Sequence, residues 1–430
     1  MYVTTVEIQN VRSIRSLKWS VPEEHAPGWH VVLGNNGAGK SSFLRGIALA
    51  LVGPEDVHGL RQAGDDWLRK GETEGGVGVI FTRDGDHDRL SSRGAPHKEY
   101  SAFVRLARVG DSVTLGADLE RSMGDSAPSE RSVWAPDARG WFSAGFGPYR
   151  RFTGGESDSR KLTASLPRLA RYLSLFDEQF ALTDTLEWLA NLKFAELSDG
   201  STLFKSVRSF VNQQGFLPHG VTLDDVTAQP RIVFFRDGSG ARVPIQELSD
   251  GFRSVLSLTL ELLRQLVAAY GESLVFGSGG SPERVSVPGV VLIDEVDAHL
   301  HPTWQRSIGL FFANAFPNIQ FIVTTHSPLV CQSADRGTIF LLPDPGSNDS
   351  GRFLDGQEKR RLVFGNVLDA MGTGAFGVGV TQSTAGTEKL DRLAELNAKE
   401  LDDVLTAEET QEREGLRALL PSKAAFMGRQ

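Results

Sequence analysis

Cysteine is almost absent from this chain: its 430 residues contain one, Cys331. No intrachain disulfide can form, which suits a reducing compartment, and a cytoplasmic location is the expectation. Apolar residues never run for the roughly 18 positions a bilayer-crossing helix needs, so no membrane partner is expected. The opening Met1-Tyr2-Val3-Thr4-Thr5-Val6-Glu7-Ile8 alternates like a strand and lacks the basic-then-apolar layout of a signal peptide. Heptads are nowhere sustained long enough for a coiled-coil arm, and no tandem repeat is visible. Positive charge is in deficit, and the net charge of −9 argues against whole-surface affinity for nucleic acid while leaving room for a local basic patch. Hydrophobic residues at 40% and charged residues at 23% are ordinary for a globular chain, long enough here for two or three domains or one with insertions.

Glycine is plentiful, and one cluster of it is informative. Gly34-Asn35-Asn36-Gly37-Ala38-Gly39-Lys40-Ser41 fits G-x-x-x-x-G-K-[ST]. The apolar run Trp29–Leu33 before it reads as a short strand, and Ser42–Leu51 after it has helical spacing of its large apolar residues. Strand, Gly-rich loop and helix is the context in which this motif works; a chance match in a Gly-rich protein would not bring both flanks. The glycines let the backbone approach phosphates, and loop N–H groups with the helix N-terminus hold phosphate oxygens. Lys40 neutralises the β/γ-phosphates and Ser41 offers its hydroxyl to Mg²⁺. The expected cofactors are ATP and Mg²⁺, with Gly34 to Ser42 lining the nucleotide.

Residues 2–19 and 29–33 read as strands, and Val77–Arg83, Ser101–Val109 and Ser112–Leu119 as β-segments of an antiparallel lobe. Helix-like spacing at Leu162–Phe176, Asp184–Leu192 and Ser201–Gln213 suggests a helical insertion at about 155–215, with Asp184-x-x-Glu187 resembling a capping box. A helix is expected from Asp250 to Tyr270, stopped by Gly271, then a Gly/Ser/Pro-rich loop at 277–289. Val290–Ile293 and Phe321–Val323 are apolar runs suited to a buried parallel sheet, with another strand at Thr338–Leu342. Pro302 opens the helix between those runs. Residues 385–420 read as a helical hairpin, whose second helix starts at the capping box Thr406-Ala407-Glu408-Glu409 and ends at Pro421. The expected fold is α/β: an ATPase domain over 1–345 and a helical region over 346–430.

Three further motifs join the P-loop. Asp294-Glu295 closes the apolar strand, where an aspartate helps hold Mg²⁺ and the following glutamate polarises an attacking water; two acids at a strand end are otherwise commonplace. His326, in Thr324-Thr325-His326-Ser327-Pro328, follows the next strand within reach of a γ-phosphate, although a lone histidine is more often structural. Leu248-Ser249-Asp250-Gly251 precedes a long helix, where Ser249 and Gly251 suit either an anion site or a plain N-cap. Leu197-Ser198-Asp199-Gly200 repeats that tetrapeptide without a long helix and Asp-Glu pair after it.

P-loop, LSDG, Asp-Glu and strand-end histidine, in this order, resemble the ABC-type ATPase class. Asp297-Ala298-His299-Leu300-His301-Pro302 after the acidic pair resembles its SMC-like, RecF-like and OLD-like branch, and more closely the PtuA-type AAA-family ATPases of Septu anti-phage defence systems. The resemblance spans about residues 1–345 and, more loosely, the C-terminal hairpin. It implies a head-to-tail sandwich in which one subunit's P-loop binds ATP and the other subunit's Ser249 and Gly251 close over the γ-phosphate, with Asp297 between the two sites. It also implies catalytic roles for Glu295 and His326, and metal contacts from Ser41 and Asp294. Phe252 stands where transporter subunits carry glutamine, and Gly145–Arg151 occupies the place of the switch segment. Arg12 or Arg15 would reach the nucleotide, unless each is structural. Gly372-Thr373-Gly374-Ala375-Phe376-Gly377 fits a dinucleotide motif without the strand–helix unit it needs, and His299 with His301 suits loop packing better than zinc.

The leading expectation is an ATPase whose nucleotide-driven dimerisation, as a homodimer or higher oligomer, regulates a partner effector nuclease in anti-phage defence. No acidic nuclease domain is visible after residue 345. The alternative is a RecF- or SMC-like repair or chromosome ATPase that binds DNA directly. A transporter-coupling subunit is disfavoured by the charge, Phe252 and the extra hairpin.

Overall fold

The computed structural model describes residues 1–57, 66–91, 96–118, 126–150, 152, 166–178, 180, 183–228, 231–277, 284–347, 349–367, 370, 376, 384–402 and 405–419. Expectations placed on Leu119, Arg151, residues 155–165, the loop at 278–283, the Gly372–Gly377 stretch apart from Phe376, and Pro421 fall outside them. The chain divides into two compact units, Met1–Gly365 and Asn366–Gln430.

In the first unit, β1 (Tyr2–Val11), β2 (Ile14–Ser20), β4 (Glu74–Thr82), β5 (Glu99–Val109) and β6 (Ser112–Ala117) form the antiparallel lobe in the order β2-β1-β4-β5-β6. The short β7 (Ala127–Pro128) runs parallel to β5. Alternation sets the pleat: Val6 and Ile8 of β1 and Leu17 and Trp19 of β2 are buried, with more polar neighbours between them. What read as one stretch over 2–19 is two strands, because Asn10 and Arg12 adopt positive φ and turn the chain.

The second sheet holds β3 (Gly28–Leu33), β8 (Ser143–Phe146), β12 (Gly289–Ile293), β13 (Ile319–Thr324), β14 (Ile339–Leu341) and β15 (Arg352–Leu354), ordered β15-β14-β3-β13-β12-β8. All pairs are parallel except β14 with β15. Every residue of β3, β12 and β13 is buried, as expected for strands covered on both faces. The antiparallel β15 carries the sheet past residue 345.

The helix Lys40–Val52 lies between the sheets. Phe43 meets Trp19 of β2 and Phe340 of β14, and Gly46 leaves just enough room for Ile8 and Val77. Gln320 of β13, fully buried, bridges the layers: its Oε1 accepts from Val3 N–H and its Nε2 donates to Val3 C=O, both at 2.7 Å.

The insertion contains helices Pro167–Ala170, Leu173–Phe176, Thr183–Asp199 and Leu203–Val211. The first two are separate because the Arg171 carbonyl is drawn to Gly145 N–H of β8. Asp184 falls within the first turn of its helix, one residue past the Thr183 start. Beyond them β9 (Thr222–Ala228), β10 (Arg231–Arg236) and β11 (Arg242–Pro244) make a small antiparallel sheet absent from the sequence reading. The helix Asp250–Tyr270 ends as expected at Gly271, whose N–H donates to Val267 C=O.

In the second unit, helices Thr384–Asp402 and Ala407–Leu419 form the hairpin, joined by Arg392–Glu412 and Lys399–Glu409 ion pairs. Its capping box is complete: Thr406 N–H donates to Glu409 Oε2, and Glu409 N–H to Thr406 Oγ1. No described helix is long and apolar enough to cross a membrane.

Candidate functional site

Three adjacent strands end at one edge of the parallel sheet. Ile293 of β12 pairs with Val323 of β13, and Val323 and Thr324 pair with Val31 and Val32 of β3. The loop after Leu33, the pair Asp294-Glu295 and the Thr325-His326 turn therefore emerge side by side, at the carboxyl edge where open parallel sheets receive ligands.

The loop Gly34–Gly39 is shaped by its glycines. Gly37 and Gly39 have φ of +80° and +100°, and a Cβ on Gly39 would lie 2.8 Å from both Ile14 Cγ1 and Ser13 Oγ. Ala38 N–H donates to Asn35 C=O at 3.0 Å, and Asn35 Nδ2 donates to Asp344 Oδ1 at 2.6 Å. Asn35 and Asn36 are exposed, as an accessible cradle requires. Lys40 turns back into the loop, donating to Gly34 C=O at 2.8 Å and Asn35 C=O at 3.3 Å. Burial lowers its pKa, against the pull of the Asp294, Glu295 and Asp297 carboxylates. Ser41 is half-buried and Ser42 buried in the first turn of the helix.

At the end of β12, Thr324 Oγ1 donates to Asp294 Oδ1 at 2.6 Å and accepts from Glu295 N–H at 2.8 Å. One strand-end hydroxyl thus holds the Asp294 carboxylate and the Glu295 backbone. Glu295 has φ of +45°, a left-handed conformation uncommon for a side chain of this size. Its carbonyl accepts from Ala298 N–H at 3.0 Å and from Arg150 Nη2 at 3.1 Å. Thr325 Oγ1 donates to Asp297 Oδ1 at 2.5 Å, and His326 is exposed beside it.

Arg150 belongs to the Gly145–Arg151 segment. Burial lowers its pKa to about 10, with the Asp297, Asp294 and Glu295 carboxylates opposing. Neither its contacts nor those of Thr324 and Thr325 were singled out from sequence. The two threonines at a strand end, beside an acidic pair one crossover away, were a usable signal; nothing local announced where Arg150 would reach.

Ser249 stands at the N-cap of Asp250–Tyr270, yet its side chain makes no capping bond and it is exposed. A Cβ on Gly251 would meet His299 C=O at 2.8 Å, so the helix start rests on the segment after the acidic pair. No hydrogen bond among the described residues joins the Ser249 hydroxyl to the P-loop of its own chain. The other LSDG, Leu197–Gly200, closes the helix Thr183–Asp199, with Gly200 at φ +73°. His301 Nδ1 accepts from Thr303 N–H and caps the helix Pro302–Ala315, and Arg12 stacks on Trp67 and donates to Asp66 C=O. Arg15 instead lines a cleft of about 190 Å³ beside Ala38 and Asp344.

The donor chemistry fits the expected cofactors. A glycine cradle with a buried lysine suits a polyphosphate. Ser41 and Asp294 offer only oxygen, and Mg²⁺ is commonly held by one or two carboxylates completed by phosphate oxygens and water.

The family described as "AAA domain, putative AbiEii toxin, Type IV TA system" matches residues 154–332. The chain is 26% identical over 345 residues to "Septu protein PtuA" of Bacillus mycoides (strain KBAB4), covering 79% of this chain and 40% of that protein. It is 39% identical over 106 residues to "Retron Ec83 probable ATPase" of Escherichia coli, covering 25% of this chain and 18% of that protein. Among solved structures, "Crystal structure of the SmcHead bound to the C-winged helix domain of ScpA" aligns at 16% identity and a TM-score of 0.47, over 82% of this chain and 98% of that one. This chain spans under half the length of either curated relative. It resembles PtuA, and its α/β architecture sets an antiparallel lobe beside a largely parallel sheet.

Proposed function

We propose that this chain binds Mg²⁺–ATP at Gly34–Ser42 and hydrolyses it, and that nucleotide-driven dimerisation controls a partner effector nuclease in anti-phage defence. The observation that carries the nucleotide reading is the convergence of the P-loop, Asp294-Glu295 and His326 at one edge of β3, β13 and β12. Lys40 and the loop N–H groups would hold phosphates, while Ser41 and Asp294 would hold Mg²⁺, which neutralises charge developing on the phosphates. Glu295, its backbone held by Thr324, would accept a proton from the attacking water, and His326 would reach the γ-phosphate from the end of the next strand.

Dimerisation is supported by Ser249: an exposed hydroxyl at a helix start, unused as a cap, is available to a second subunit's nucleotide. The defence role is supported by the resemblance to the Septu and retron proteins.

The test is nucleotide turnover. Lys40→Ala is expected to weaken ATP binding, and Glu295→Gln to keep binding while slowing hydrolysis by about 100-fold or more. Equal rates for Glu295→Gln and the unsubstituted chain would remove Glu295 from the chemistry. Mixing Ser249→Arg with Lys40→Ala subunits should rebuild one intact composite site; no recovery from demonstrated mixed dimers would count against sharing in trans. DNA cleavage by the purified chain, abolished by substituting its own acids, would overturn the partner-nuclease reading. Tight DNA binding without a partner would favour the RecF-like alternative.

A further inference from the structure

Arg150 is buried just beyond β8, and its planar fork points three ways. Nη1 donates to Asp294 C=O at 3.4 Å, Nη2 to Glu295 C=O at 3.1 Å and Nε to Ser254 Oγ at 3.1 Å. A guanidinium offers several donors in fixed directions, which an ammonium does not. Two of these bonds hold backbone immediately after the parallel strand. The third holds the helix Asp250–Tyr270, one turn beyond Gly251, and Ser254 is itself buried.

The carbonyl taken by Nη2 belongs to Glu295, whose φ of +45° is sparsely populated. Such a conformation persists where its surroundings over-determine it. Here Thr324 fixes the N–H, while Ala298 N–H and Arg150 fix the C=O. Of these holders, Arg150 alone also grips the Ser249 helix. A second contact runs alongside, since Gly251 packs on His299 C=O. The helix start and the acidic segment are thus linked at two points, one of steric contact and one of directed hydrogen bonds.

We propose that Arg150 is a positioning residue: its fork ties the start of the Asp250–Tyr270 helix to the backbone of Glu295, so that a displacement of either is felt by the other. Its link to turnover rests on the nucleotide reading above; the mechanical coupling does not. When a partner subunit's nucleotide engages Ser249, the pull on the helix reaches the Glu295 carbonyl through Ser254 and the guanidinium.

The test substitutes one end and reads the other, in the full chain. Ser254→Ala removes one acceptor and touches neither Asp294 nor Glu295. In nucleotide-free protein, amide exchange over residues 294–298 should quicken about ten-fold, the scale of one lost hydrogen bond to a charged group, while the helix Lys40–Val52 is unchanged. Arg150→Met should quicken exchange at 250–258 and 294–298 together, and Arg150→Lys should not restore both, because one ammonium cannot span the three acceptors. Adding Ser254→Ala to Arg150→Met should change little further. With ATP, Arg150→Lys should lower kcat by about ten-fold or more with KM nearly unchanged.

Unchanged exchange at 294–298 in Ser254→Ala, or full restoration of both segments by Arg150→Lys, would overturn the coupling. If Arg150→Met does not fold, Ser254→Ala and Arg150→Lys decide alone. Should the unsubstituted protein fail to bind ATP, the nucleotide reading falls while the exchange data still judge the coupling.

Discussion

Thr324→Val separates shape from chemistry at the centre of the site. Valine keeps the outline of threonine in a fully buried position, so packing is nearly conserved and the change lies in two hydrogen bonds. The first is the donation to the Asp294 carboxylate at 2.6 Å; a bond to a charged group contributes about 1.5–3 kcal/mol. The second is the acceptance from Glu295 N–H at 2.8 Å, and a buried donor left without a partner costs about 1–3 kcal/mol. Together they predict a loss of about 2.5–6 kcal/mol. Thr324→Ser keeps the hydroxyl and removes one buried methyl, a loss of about 0.8 kcal/mol. Urea denaturation followed by tryptophan fluorescence would rank the three proteins, and valine should lie well below serine. With its N–H anchor gone, Glu295 should also leave its left-handed conformation, so Thr324→Val should lose most hydrolysis while Thr324→Ser keeps it. Valine no more destabilising than serine would refute the claim that this hydroxyl holds both the Asp294 carboxylate and the Glu295 backbone.

Two other perturbations test neighbouring parts. His30 of β3 is fully buried, with Nε2–H donating to Ala26 C=O and Nδ1 accepting from the Thr338 hydroxyl, which satisfies the neutral ring; burial lowers its pKa to about 4. The folded value lies below the unfolded value of about 6.5, so this contribution is complete above pH 6.5 and lost as pH falls toward 4, about 3 kcal/mol in all; urea midpoints at several pH values should show His30→Gln losing less than the parent over that window, and an identical loss would refute it. Gly39→Ala forces a side chain to φ +100° against Ile14 and Ser13, so a fluorescent-nucleotide titration should show binding weakened by about ten-fold or more, and unaltered affinity would show that the loop tolerates another shape.

What was legible in the sequence had local physical causes. Gly34–Ser41 could be placed because its strand and helix flank it, and Val290–Ile293 because a strand buried on both faces carries no polar alternation. The Thr406–Glu409 box formed as written because its two bonds close within four residues. The small sheet β9–β11 lies between the helical insertion and the helix Asp250–Tyr270, in a stretch that carried no strand expectation although Arg231–Arg236 alternates and Asp237-Gly238 marks a turn, whose Asp237 side chain accepts from Ser239 and Ala241 N–H. Arg150 shows the other limit. Its partners lie 104 to 145 residues away, and no periodicity or spacing encodes a contact of that kind.

The amide of Gln320 constrains how this architecture can be taken apart. By accepting from and donating to the same residue of β1, it completes a hydrogen-bond pair that a strand would ordinarily supply. The antiparallel lobe is therefore not a freely exchangeable module. A chimera that imports the first strands of a relative while keeping this β13 must also import a residue able to satisfy that amide, or leave both of its polar ends buried without partners. Recombination among related chains should accordingly favour breakpoints that move residues 1–20 and Gln320 together, although about 300 residues of sequence separate them.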